Sequence, residues 1–125
     1  ASHFVHPCGL DAPGQRTTVR DLLKLAEVAR GNTEIAYRAT TTDDAIRTRG
    51  GREIRFHNSN ALIGREPEAT GLKSGYTRQA GRCLIALAER RGHHVLVVML
   101  DAGDRWWETT GIIAQALGRV APPRD

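Results

Sequence analysis

Lysine is nearly absent from this chain: Lys24 and Lys73 are the only two among 18 basic residues, and arginine carries the net charge of +4. Aromatic residues make up 5% of the 125 positions, too few for a base-stacking platform. The arginines are scattered, many beside acids, as in Arg20-Asp21, Arg52-Glu53 and Arg65-Glu66. A positive balance of that kind signals only non-specific affinity, so no nucleic-acid partner is expected. Cysteine is equally scarce. Cys8 and Cys83 have no C-x-x-C spacing, which argues against a metal or redox motif. An oxidising compartment would permit a disulfide, but spacing supplies no geometry for one. Two free thiols are expected, with Cys83 buried in a strand. No apolar run approaches the roughly 20 residues needed to cross a bilayer, so no transmembrane segment is expected. The first residues, Ala1-Ser2-His3-Phe4, have neither a basic n-region nor an apolar h-region, so any export signal lies outside this chain.

What is present suits one domain: 40% of the residues are apolar and there is no internal repeat or low-complexity block. Residues 3–16 carry turn signals in close succession, His6-Pro7, Cys8-Gly9 and Ala12-Pro13-Gly14. Thr18 with Asp21 resembles a capping box; Val19, Leu22, Leu23 and Ala26 keep helical spacing, and Gly31 stops the helix. Asn32 or Thr33 then caps a short second helix to about Ala39. From Thr40 the pattern turns to β. Arg49-Gly50-Gly51 signals a hairpin with Ile54 and Phe56 on the return strand. Strands are expected at 71–77, 82–88 and 95–100; the last is a continuous apolar run typical of a strand covered on both faces. Asp104 caps a final helix whose stripe is Trp106, Ile113, Leu117 and Val120, ended by Pro122-Pro123. The order implies an α+β domain, a meandering antiparallel sheet flanked by helices.

Chemistry concentrates in Gly71-Leu72-Lys73-Ser74-Gly75-Tyr76-Thr77. A strand sets Lys73 and Gly75 on one face and Ser74 on the other. A cleft-facing lysine supplies positive charge, a hydroxyl can donate to a carboxylate, and glycine admits a substrate backbone. Taken alone, Lys-Ser-Gly is more often a solvated turn. Its surroundings change that. His3-Phe4-Val5-His6-Pro7-Cys8-Gly9-Leu10 resembles an "F-V-x-P-x-G-L" loop, and Thr18-Val19-Arg20-Asp21-Leu22 an "S/T-x-x-D-L" helix start. Asn58-Ser59-Asn60-Ala61-Leu62 is similar to "N-T-N-x-L", and Ala80-Gly81-Arg82-Cys83-Leu84 to "A-G-x-x-L". These segments, collinear from His3 to about Leu117, resemble the low-molecular-mass penicillin-binding proteins, the serine-type D-alanyl-D-alanine peptidases. Gly81-Arg82-Cys83-Leu84 together with Val98-Met99-Leu100-Asp101 leans toward their murein endopeptidase subgroup.

The resemblance implies the C-terminal part of a β-lactamase/transpeptidase-like domain over residues 1–121, with 122–125 a tail. It implies that Lys73, Ser74, Gly75 and Tyr76 form one wall of the cleft. Ser74 keeps the hydroxyl that many relatives supply from threonine, and the Tyr76 N–H is an oxyanion donor. It implies that Arg105 helps hold the substrate carboxylate; the plainer reading is a helix-start arginine in solvent. It further implies peptidoglycan peptides and β-lactams as partners, a periplasmic location and no cofactor. The family's nucleophile and base belong to a Ser-x-x-Lys segment, followed by Ser-x-Asn, upstream of this region. Here the only serines are Ser2, Ser59 and Ser74, none with lysine three residues on. Thr70 and Lys73 have the spacing, but on a strand they face opposite sides. The chain is therefore expected to be inactive alone, its partner being the missing N-terminal half of the domain. It is read as a piece of a complete enzyme, one half of a two-chain enzyme, or a non-catalytic module that binds peptidoglycan or a partner. Five histidines do not change this: His93-His94 is expected in a hairpin turn, where adjacent side chains rarely converge on one metal ion, and His57 is expected to order a loop.

Overall fold

The computed structural model describes residues 1–121 and Pro123. Of the expected tail 122–125, the other three positions lie outside the described residues. Helix α1 (Val19–Arg30) starts where Thr18, in extended conformation, accepts the Asp21 N–H at 3.1 Å on its hydroxyl. Helix α2 (Thr33–Thr40) is capped by Asn32, whose Oδ1 accepts from Glu34 and Ile35 N–H, both at 3.1 Å. Each cap satisfies amide groups that the first turn leaves without an intrahelical partner.

Strands β1 (Asp43–Arg47) and β2 (Glu53–His57) form a hairpin of their own. Strands β3 (Ala69–Thr77), β4 (Gly81–Arg90) and β5 (His93–Met99) form an antiparallel sheet in that order. The expected single meander is therefore two sheets. The hairpin is mostly exposed along both strands, with Asp43, Arg47, Glu53 and Arg55 charged and Ile46 and Phe56 facing the cleft instead of joining the larger sheet. His93 and His94 open β5, opposite Arg90 and Glu89, rather than sitting in the turn. Successive strand positions send their side chains to opposite faces.

β4 is the middle strand, which explains its unbroken apolar run. Leu84, Ala86 and Ala88 join Leu62, Val97 and Ile113 in the core, with Met99 and Trp106 packed around them. This face is covered by α3 (Arg105–Ala116), capped by Asp104, whose carboxylate accepts the Trp107 N–H at 3.3 Å. β5 touches both α1 and α3.

Helix α3 ends six residues before the proline pair expected to stop it. Gly118, at φ +66°, closes a Schellman turn: its N–H donates to Gln115 C=O at 3.2 Å, and the Arg119 N–H to Ala114 C=O at 2.7 Å. Val120, expected on the apolar stripe, is therefore past the helix and 93% exposed. The turn delivers Arg119 to two acids. Its guanidinium donates to buried Glu66 and lies 2.9 Å from Glu68. Burial, with Glu68 beside it, pushes the Glu66 carboxyl above its ordinary range, and Arg119 opposes that shift.

α2 lies against β3, on the face where Gly71 pairs with Leu87. A Cβ on Gly71 would stand 2.9 Å from the Ala39 Cβ, and its φ of +140° is one that side-chain-bearing residues rarely adopt. Gly71→Ala is therefore expected to lower stability by about 2–3 kcal/mol, adding displacement of α2 to the roughly 1–2 kcal/mol of a left-handed conformation. A urea melt of the purified chain measures it; an unchanged midpoint would show that α2 is not held this closely.

Candidate active-site wall

β3 is an edge strand of the three-stranded sheet, which leaves one side of Lys73, Ser74, Gly75 and Tyr76 without a partner strand among the described residues. The pleat alternates as expected: Lys73 and Gly75 are exposed and Ser74 is buried, 9% accessible. A cleft of about 550 Å³ runs along this edge, floored by Leu72–Ser74 and bounded by Ala39 of α2, Phe56 of the hairpin and Asn58–Asn60. The Lys73 ammonium curls back to donate to the Ser74 carbonyl. The Tyr76 side chain is 65% exposed, and Tyr76 pairs in register with Arg82.

Arg105, distant in sequence, reaches this strand. Its Nη1 donates to the Gly75 carbonyl at 2.9 Å and its guanidinium stacks over the Trp106 ring at 4.6 Å. Its Nε is buried with no hydrogen-bond partner among the described residues. Arg105 is thus not simply a solvated helix-start arginine. The first turn of α3 holds it beside Gly75, and five donors on a rigid fork leave some free for an anion. Two cations therefore flank one strand edge.

The far end of β3 is tied down as well. The Thr77 hydroxyl donates to Asp11 at 2.7 Å, anchoring the loop of residues 3–16 beside Tyr76. Cys83 lies opposite Gly75 and is half-buried, not in the core; its Sγ is 3.4 Å from the Ala80 carbonyl, and both thiols are free. It sits on the more open face of the sheet because it shares the pleat of Gly75.

The three serine hydroxyls have different company. Ser2 donates to Asp21 at 2.7 Å and lies 2.8 Å from the Thr17 hydroxyl; that hydrogen bond to Asp21, above all, holds the Asp21 carboxyl below its ordinary range. Ser59 and Ser74 meet each other, Oγ to Oγ, at 3.1 Å. None of the three is hydrogen-bonded to a lysine amine or an imidazole among the described residues. His57, expected to order a loop, instead closes strand β2, where it pairs with Asp43 of β1 at 2.8 Å.

The Asn58-Ser59-Asn60 segment contributes more than its sequence suggests. Asn58 Nδ2 donates to the Ala39 and Thr41 carbonyls at 3.0 and 2.9 Å, capping the end of α2. The one signal in the sequence is the run of four polar residues, His57 to Asn60, after the apolar Phe56, which marks a turn but not what the turn holds.

Residues 1–104 match the sequence family described as D-alanyl-D-alanine carboxypeptidase. A D-alanyl-D-alanine carboxypeptidase of Mycobacterium tuberculosis is 29% identical over 115 residues, covering 86% of this chain and 39% of that protein. A D-alanyl-D-alanine endopeptidase of Escherichia coli is 32% identical over 107 residues, covering 84% of this chain and 34% of the relative. Among solved structures, a mutant of a Streptomyces DD-transpeptidase superposes with TM-score 0.85 at 26% identity, over 94% of this chain and 48% of that one. A Listeria monocytogenes penicillin-binding protein with cefotaxime bound superposes at 0.74 and 30% identity, over 90% and 46%. The chain thus spans between a third and a half of the length of these relatives.

Proposed function

Because the chain belongs to the D-alanyl-D-alanine carboxypeptidase family, we propose that it supplies one wall of a serine acyl-transfer site that hydrolyses peptidoglycan stem peptides or their cross-links. On this reading residues 1–121 are the C-terminal part of a transpeptidase-like catalytic domain working in the periplasm. The nucleophilic serine and its lysine base come from the remainder of that domain, and this chain alone is inactive. The relatives include both a D-alanyl-D-alanine carboxypeptidase and a D-alanyl-D-alanine endopeptidase, and the reading covers both activities.

The observation that carries the reading is the Arg105–Gly75 hydrogen bond, which brings a second cation to the strand that already bears Lys73. A peptide ending in D-Ala-D-Ala presents a free carboxylate next to the bond to be cut. Laid along β3, it would meet the Ser74 hydroxyl and the free donors of Arg105 with that carboxylate. Gly75 leaves room for its backbone, and its scissile carbonyl would lie toward the Tyr76 N–H. Charge that develops on that oxygen is then met by a fixed dipole, which stabilises the tetrahedral intermediate without reorganisation. The Lys73 ammonium adds positive potential where the acyl oxygen and the carboxylate are both anionic. A β-lactam carries the same pair of groups, an acyl carbonyl and a carboxylate, and is expected to acylate the full-length protein.

Arg105→Ala tests the carboxylate assignment. In the full-length protein it is expected to weaken reaction with D-Ala-D-Ala peptides by about 1.5–3 kcal/mol, the worth of a hydrogen bond to a charged group. Amidating the substrate's terminal carboxylate should then cost the variant little more. If amidation slows variant and wild type equally, Arg105 is a bystander.

A further inference from the structure

We propose that Ser59 is a positioning residue that directs the Ser74 hydroxyl proton toward the substrate carboxylate. The inference rests on the reading of Ser74 given above. A serine hydroxyl has one proton and two lone pairs. Ser74 is buried, and its Oγ lies 3.1 Å from that of Ser59. If Ser74 donates to Ser59, only lone pairs remain to face the cleft, and they repel an anion. If Ser59 donates instead, the Ser74 proton is free for the carboxylate. The sequence Ser59 to Ser74 to carboxylate is then a chain of hydrogen bonds, each polarising the next. An anionic ligand selects this second arrangement.

Ser59 is placed to hold it. The preceding Asn58 is fixed by its two side-chain bonds to Ala39 and Thr41 and by its own N–H, which donates to Thr42 C=O at 2.7 Å. Its Oδ1 accepts the Asn60 N–H at 2.9 Å, closing an Asx turn around Ser59. Asn60, 4% exposed, then accepts the Leu62 N–H at 3.1 Å. Ser59 therefore stands between two anchored asparagines, which fix its backbone beside Ser74. The segment thereby carries a hydroxyl to the one buried side chain of the Lys-Ser-Gly strand.

The test measures kcat/KM in the full-length protein for a D-Ala-D-Ala peptide and for its C-terminal amide, in wild type, Ser59→Ala, Ser59→Thr, Ser74→Ala and the double alanine variant. Ser74→Ala is expected to reduce the preference for the carboxylate about tenfold or more, and Ser59→Ala about three- to tenfold, as for one hydrogen bond in a coupled pair. Ser59→Thr, which retains the hydroxyl, should restore most of the preference. In the Ser74→Ala background, Ser59→Ala should change nothing further. A Ser59→Ala effect that persists undiminished in that background would show a merely structural role and overturn the inference. So would wild-type preference in Ser59→Ala alongside its loss in Ser74→Ala, which leaves the reading of the wall standing. Wild-type preference in Ser74→Ala would remove the reading of the wall itself.

Discussion

Lys73→Ala in the full-length protein is expected to slow acylation by penicillin, and peptide turnover with it, by about 10²–10³-fold, the range for removing one preorganised electrostatic stabiliser. The size follows from position. Lys73 is one of two lysines in the chain, stands on the exposed face of an edge strand, and lines the cleft. A unit charge about 4 Å from an anionic oxygen at a partly desolvated site is worth roughly 4 kcal/mol, which covers that loss of rate. The present contact of its ammonium with the Ser74 carbonyl is one an incoming carboxylate or tetrahedral oxygen can replace, because an ammonium offers three rotatable donors. Lys73→Arg should recover only part of the rate, since a planar fork does not occupy the place of a compact point charge. Stopped-flow labelling with a fluorescent penicillin gives the acylation rate directly. Unchanged kinetics in Lys73→Ala would remove Lys73 from the site, whatever else the strand does.

This strand is legible in the sequence because its signals are local. The alternation of Lys73, Ser74 and Gly75, the caps at Thr18, Asn32 and Asp104, and the turn at Arg91-Gly92 all follow from chemistry within a few residues. Long-range events are less legible. Nothing near Arg105 says that its guanidinium will reach the Gly75 carbonyl 30 positions upstream. That depends on α3 packing across β4 and β5 so that its first residue reaches back to β3. The early end of α3 is hidden because a proline pair is a louder stop signal than Leu117-Gly118. The Schellman turn wins because Gly118 takes a positive φ without strain, and Arg119 then reaches two acids. The separate hairpin is hidden because strand patterns reveal pairing with a sequence neighbour but not the edge that stays unpaired. The apolar neighbours of Cys83 point to the core; its register opposite Gly75 turns it toward the open face instead. The Ser59–Ser74 contact spans 15 residues and joins two polar side chains, a pairing that no periodicity announces.

The central claim is that this chain holds half of an acyl-transfer site, and gel labelling with a fluorescent penicillin tests it most directly. Acylation needs a nucleophile, its base and the oxyanion donors held together, and the hydroxyls of Ser2, Ser59 and Ser74 have other partners here. The isolated chain, folded by circular dichroism, is expected to form no covalent adduct. Mixed with a polypeptide carrying the Ser-x-x-Lys and Ser-x-Asn segments of the same parent, it should support labelling, and the label should be on the added polypeptide. A penicilloyl group found by mass spectrometry on Ser2, Ser59, Ser74 or Thr70 of the isolated chain would contradict the claim, because the nucleophile would then lie within these 125 residues.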